Sequence, residues 1–108
     1  MLIEVRTDTN IEAGEKSINH LRSVVQGALE RFDGHIRRVD VHLSDSVSNK
    51  RSHGDKCCMM EARFDGREPV TVTQQASTVE QAIRDAVHTL QRSIESALGH
   101  DSHRRDIR

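Results

Sequence analysis

Residues 57–72 read Cys57-Cys58-Met59-Met60-Glu61-Ala62-Arg63-Phe64, then Asp65-Gly66-Arg67-Glu68, then Pro69-Val70-Thr71-Val72, and this stretch decides the fold. Successive strand residues point to opposite faces, so Cys58, Met60, Ala62 and Phe64 share an apolar face while Glu61 and Arg63 look outward. Asp65 to Glu68 is a turn of hairpin length. Val70 and Val72 resume the alternation, with Pro69 at the first residue of the next strand, where a missing N–H is tolerated. Immediately afterwards the period changes. Val79, Ile83, Val87, Leu90, Ile94 and Leu98 recur at spacings of three and four, with Ala82, Ala86 and Ala97 beside them, which predicts one buried stripe of a helix. Ser77 or Thr78 can cap it, Ser77 standing three residues before Glu80, and Gly99 is expected to end it.

Working outward, Val39, Val41 and Leu43 alternate with Arg38, Asp40 and His42, which predicts another strand. Ser44 to Asp55 is polar and reads as a long loop. Residues 2–7 alternate as well, with Ile3 and Val5 on one face, and Thr7-Asp8-Thr9-Asn10 supplies turn formers that end the strand. Between about Glu15 and Phe32, Ile18, Leu21, Val25, Ala28 and Phe32 follow helical spacing. Gly27 interrupts that helix, and close packing is the expected reason for it. Asp33-Gly34 is the expected stop, with Gly34 in the left-handed cap position.

The order is β-α-β-β-β-α: an α+β fold in two layers, a four-stranded sheet with two helices packed on one face. One domain over residues 1–99 and a polar tail over 100–108, expected to be disordered, account for the chain. The uncovered face of the sheet is expected to be wet, carrying Glu4, Arg6, Arg38, Asp40, His42, Glu61, Arg63, Thr71 and Thr73, with Leu2, Cys57 and Met59 as apolar exceptions.

Composition removes several functions. Of 108 residues only Phe32 and Phe64 are aromatic, so no sheet surface can stack a run of bases. Sixteen Lys and Arg balance seventeen Asp and Glu, a net charge of -1, so any RNA must be met by a few placed cations. No signal peptide and no apolar run of membrane-spanning length is visible. Cys57 and Cys58 are adjacent and point to opposite faces, which excludes a disulfide framework and fits a reducing, cytoplasmic setting.

Chemistry is equally constrained. Cys57 and Cys58 with His42 and His53 lack the spacing and convergence of a zinc site. There is no nucleophile elbow, no pocketed carboxylate pair and no phosphate loop, since Gly34, Gly54 and Gly66 are isolated turn glycines. No catalytic residue, cofactor or metal is expected. What remains is cations: Lys50, Arg51 and Lys56 in the central loop, Arg37 and Arg38 before the second strand, and Lys16, Arg22, Arg84, His88 and Arg92 on the solvent side of the helices. The tail adds Arg104, Arg105 and Arg108.

Three runs are distinctive together: Val41-His42-Leu43-Ser44-Asp45, Glu61-Ala62-Arg63, and Gln75-Ala76 through Thr78-Val79 to Gln81-Ala82. With the element order they give a chain that, from about Leu2 to Leu98, resembles the ribosome hibernation-promoting and ribosome-associated translation-inhibitor family, in its short single-domain form. The resemblance implies a protein of stress or stationary phase that occupies the small ribosomal subunit near the decoding channel. There it would bind ribosomal RNA and either inhibit translation or stabilise idle ribosomes. It implies no membrane, DNA or small-molecule substrate as partner. Carried over, the contacts fall on Arg22, Arg31, Arg84 and Arg92, with Lys50, Arg51 and Lys56 in the loop; His88 joins them from the cation set. The family's better-known members are lysine-rich at the end of the last helix, whereas Arg92 is the single cation between residues 92 and 98 here. That difference motivates a second expectation, a stress-related protein-interaction module of the same fold without strong RNA binding. A third, weaker one is binding of free double-stranded RNA.

Overall fold

Alternation in the sequence becomes rows in the sheet. The computed structural model describes residues 1–8, 14–45 and 56–106, with side chains described as far as Gly99. The elements are β1 (Leu2–Thr7), α1 (Glu15–Leu29), a 3₁₀ turn (Glu30–Phe32), β2 (Ile36–Asp45), β3 (Lys56–Phe64), β4 (Val70–Ala76) and α2 (Val79–Asp106). The strands lie in chain order, with β1 parallel to β2 and the pairs β2/β3 and β3/β4 antiparallel. This is the expected α+β order.

Register carries the apolar positions across all four strands. Ile3, Val39, Ala62 and Val70 form one inward row, and Val5, Val41, Met60 and Val72 the next. A third row, Thr7, Leu43, Cys58 and Gln74, becomes polar at its two edges. The inward amide of Gln74 donates to Thr89 Oγ1 of α2 at 3.2 Å, so it is not left unsatisfied. Leu21, Val25 and Leu29 of α1, with Ala82, Ile83, Ala86, Val87, Leu90 and Ile94 of α2, join these rows in one core, so both helices cover the same face. No polar or charged residue is buried among the described residues. The aliphatic core that the composition demands is the one the chain builds.

Glycine is where sequence and structure part. α1 stops at Leu29 and tightens into the 3₁₀ turn, which buries Phe32. Gly66 in the β3–β4 connection, at φ 77°, is the described glycine with positive φ, so Gly34 is not the left-handed cap expected of it. Backbone bonds from Asp33 N–H to the Glu30 carbonyl and from His35 N–H to the Phe32 carbonyl make the stop instead. A Cβ added at Gly27 would meet nothing within 4 Å, so close packing is not the reason for that glycine. Gly99 does not end α2, which continues to Asp106. One interior glycine costs a helix only about 1 kcal/mol, and no proline follows to stop it.

Smaller corrections concern boundaries. β2 extends beyond the predicted alternation at both ends, with an irregularity between Ile36 and Arg38. Ser44 and Asp45 therefore belong to the strand, while loop residues 46–55 lie outside the described residues. Pro69 immediately precedes β4 rather than opening it. Of the two candidate caps it is Thr78 whose Oγ1 accepts the Gln81 N–H, at 3.1 Å.

Candidate nucleic-acid interface

The two helices meet along a seam stitched by polar contacts. Gln91 Nε2 of α2 donates to the Ala28 carbonyl of α1 at 2.7 Å. His20 Nε2 lies 3.7 Å from Glu80 Oε2, and Arg31 Nη2 lies 2.8 Å from Glu95 Oε2. The Arg31 guanidinium also sits 4.7 Å from the centroid of the Phe32 ring, a cation–π arrangement that fixes its plane. Arg31, placed in the sequence as an RNA contact, is thus committed to holding the end of α1 against α2.

Arg84 is similarly committed. Its Nε and Nη2 both donate to Glu80 Oε2, at 3.2 and 2.8 Å, an i, i+4 pair on the surface of α2. Arg84 first and His20 second hold the Glu80 carboxyl below the usual carboxylate range. Lys56 Nζ lies 3.0 Å from Asp45 Oδ2, pinning the start of β3 to the end of β2. The other Asp45 oxygen, Oδ1, is buried without a hydrogen-bond partner among the described residues.

Arg22, His88 and Arg92, all predicted contacts, face no carboxylate among the described residues. Arg22 Nη1 donates to the side-chain carbonyl of Asn19 at 2.8 Å, a neutral acceptor that leaves the charge uncompensated. His88 and Arg92 make no ion pair or side-chain hydrogen bond among the described residues. Both line a shallow hollow of about 570 Å³ with Val70, Thr89, Ser93 and Ser96. Thr89 Oγ1 already donates to the Asp85 carbonyl at 3.0 Å, so one guanidinium, one imidazole and the hydroxyls of Ser93 and Ser96 are what the open hollow offers a phosphate group, which needs several donors at once. Arg22, His88 and Arg92 are therefore the predicted contacts left available on the helical face. Lys50 and Arg51 lie outside the described residues.

The opposite face is the salt-laced surface expected from the alternation. Glu4, Asp40, Glu61 and Thr71 form one row across the strands, flanked by a row of Leu2, Arg38 and Arg63. Three carboxylates abreast would repel one another. Arg38 relieves this by bonding Glu4 and, at 2.9 Å, Asp40, while Arg63 Nε bonds Glu61 Oε1 at 3.0 Å. The Asp40 carboxylate, with help from Glu4, raises Arg38 above the ordinary arginine range. On the next row His42 Nε2 lies 2.8 Å from Asp8 Oδ1. Leu2 and Met59 are the exposed large apolar residues, as anticipated.

One grouping escaped the sequence. Arg37 and Arg38 open β2, while Arg63 and Arg67 flank the end of β3, and antiparallel pairing gathers all four around one groove. The signal was present in the register, because Arg38 and Arg63 stand directly opposite each other.

Comparison with known proteins sets these surfaces in a family. No curated protein sequence matches the chain. Among solved structures, the N-terminal domain of Protein Y from Thermus thermophilus is similar at 20% identity and a TM-score of 0.63, covering 88% of this chain and 97% of that domain. A ribosomal subunit interface protein from Coxiella burnetii is similar at 13% identity and a TM-score of 0.69, covering 92% of this chain and 99% of the other. At such identities the likeness is one of fold. The family model described as Sigma 54 modulation protein / S30EA ribosomal protein matches residues 3–99, and the chain belongs to that family of ribosome-associated proteins.

Proposed function

We propose that this chain binds the small ribosomal subunit through its RNA, near the decoding channel, and inhibits translation or stabilises idle ribosomes by occupancy alone. The observation that carries the reading is the family match over residues 3–99, which reaches all four strands, takes in α1 and follows α2 as far as Gly99. The solved relatives include a protein named for the ribosomal subunit interface, which supports the same direction. Such a role needs no catalytic group and no cofactor, and it is exercised in the cytoplasm, under stress or in stationary phase. The contacts are assigned to Arg22, His88 and Arg92 on the helices, with Lys50 and Arg51 in the central loop. Arg31, Arg84 and Lys56 are secondary, since Glu95, Glu80 and Asp45 already offset their charge and occupy part of their donors. The Arg31 and Arg84 pairs are exposed, hence weak and screened by salt, so exchange is feasible there, whereas the Lys56–Asp45 pair is part-buried and holds more firmly.

Co-sedimentation with purified small subunits across a salt series tests this. Binding that weakens steeply with salt supports it, each phosphate contact contributing about 0.9 to the logarithmic slope on duplex and about 0.7 on single strands. A protein that stays in the soluble fractions even at low salt refutes it.

One observation favours a second reading, a stress-related protein-interaction module with little RNA affinity: three of the predicted contacts are already paired with carboxylates. Capture from lysate of a non-ribosomal protein, with no ribosomal components, supports this alternative over the first.

A further inference from the structure

The groove at one end of the uncovered sheet face is lined by Leu2, Arg37, Arg38, Arg63, Phe64, Arg67 and Pro69 and encloses about 450 Å³. Four of its seven lining residues are arginines, and none is acidic. From this groove we infer that the protein has a second anion site, separate from its helical face, that takes the phosphates of a nucleotide. It stands on its own geometry and not on the ribosomal reading.

The local charge is layered. Carboxylates neighbour the groove, but they stand outside its lining: Glu4, Asp40 and Glu61 form the next row along the sheet, and Asp65 lies in the connection after β3. They engage only part of the guanidinium in Arg37, Arg38 and Arg63. Arg38 spends Nε and Nη2 on Asp40 and Glu4, Arg63 spends Nε on Glu61, and Arg37 Nη1 lies 3.5 Å from Asp65. A guanidinium carries five N–H donors, so the described bonds leave Arg38 Nη1, both Nη groups of Arg63, and Nε and Nη2 of Arg37 to the groove. The backing carboxylates hold Arg38 and Arg63 in place, and preorganised forks lose less entropy when an anion arrives.

Phosphate fits these donors better than a carboxylate does. Several forks around one space match a group with several oxyanions, whereas one carboxylate engages a single fork. The remaining walls add the second half of a nucleotide site. Leu2 is 58% exposed and Pro69 is exposed, giving an apolar ledge beside the cations. Both phenylalanines are buried, so no ring is offered for stacking. The exposed plane of Arg37 serves that purpose instead, as guanidinium planes do on unpaired bases. The volume falls in the range of about 300–1,000 Å³ typical of small-ligand sites. A free nucleoside polyphosphate and a phosphorylated single strand of RNA share this chemistry, and the experiment separates them.

Calorimetry at low salt would titrate the full chain with pyrophosphate, with ATP, and with a 5′-phosphorylated single-stranded hexanucleotide; amide chemical shifts would locate each ligand. Binding of ATP with shifts confined to Leu2, Arg37, Arg38 and residues 63–70 supports the site. A hexanucleotide that binds there and competes with ATP assigns the phosphate to RNA, while ATP binding alone assigns it to free nucleotide. Arg37→Gln and Arg63→Gln should each weaken binding by about tenfold, the size of one charge-assisted hydrogen bond. Lys16→Gln on α1, an equal loss of charge, should leave it unchanged. Unaltered thermal melting of each variant excludes unfolding as the cause. No saturable binding of any phosphate ligand, shifts located elsewhere, indifference to Arg37→Gln, or an oligoglutamate peptide that binds as tightly as ATP overturns the inference.

Discussion

Arg84 and Arg92 project from the same helix and differ in what stands beside them: Arg84 meets Glu80 twice, and Arg92 meets no acid among the described residues. Neighbours, not residue type, decide which cation is available to a phosphate. Arg92→Ala should therefore lower the salt slope of small-subunit binding by about 0.9, whereas Arg31→Ala should change it less while loosening the helix seam. Co-sedimentation of the two variants across a salt series makes the comparison. The cysteines form a similar contrast. Cys58 is fully buried in the third inward row, and desolvation, aided by the adjacent Cys57, pushes its thiol up to about 12 from 9.0. Cys57 is half-buried on the outward face. In native protein one thiol should react promptly with a thiol reagent and the other only as fast as the chain unfolds, which a timed thiol count reads directly. The raised value also sets a pH dependence. Above pH 9 the unfolded thiol releases a proton that the folded one keeps, so this contribution to stability is complete below 9 and declines as pH climbs toward 12.

At the scale of elements, β3, β4 and α2 were legible because two periods meet there without overlap: an alternation through Phe64 and a three-four repeat from Val79. β1 and the middle of β2 were legible for the same reason. Ends were not, because a helix terminus depends on which backbone groups find partners, and apolar spacing carries no record of that. Gly34 and Gly99 look identical to capping glycines in sequence, yet neither adopts positive φ. Gly27 gives a direct test. It lies exposed within α1 with open space where a Cβ would go, so Gly27→Ala should stabilise the protein by about 1 kcal/mol in urea unfolding. Thr78→Ala should have the opposite sign, costing about 1 kcal/mol by stranding the Gln81 N–H at the start of α2.

For the molecule as a whole, the division into a core face and a wet face was written in the alternation, while the distribution of charge over those faces was not. Sequence reading gathered Arg22, Arg31, Arg84, His88 and Arg92 as one set. Folding splits them: Glu95 reaches Arg31 only because the helices pack together, whereas Glu80 stands one turn before Arg84 in α2, a pairing that the i, i+4 spacing already carried. The four-arginine groove was hidden for a related reason: it needs the β2–β3 register, which brings together residues far apart in the chain. The core itself is aliphatic and continuous, so Leu90→Ala, at a fully buried position of α2, should cost about 2–5 kcal/mol in equilibrium denaturation. One further consequence follows from strands that lie side by side in chain order. During synthesis each strand can pair with the one just made, so the sheet grows outward without waiting for a distant partner. The share of its inner surface that α1 does not cover stays bare until α2 emerges, because Ile83, Leu90 and Ile94 come last. A chain arrested after β4 and before residue 94 would thus hold a finished sheet with only half its lid, the form of this chain most prone to clumping.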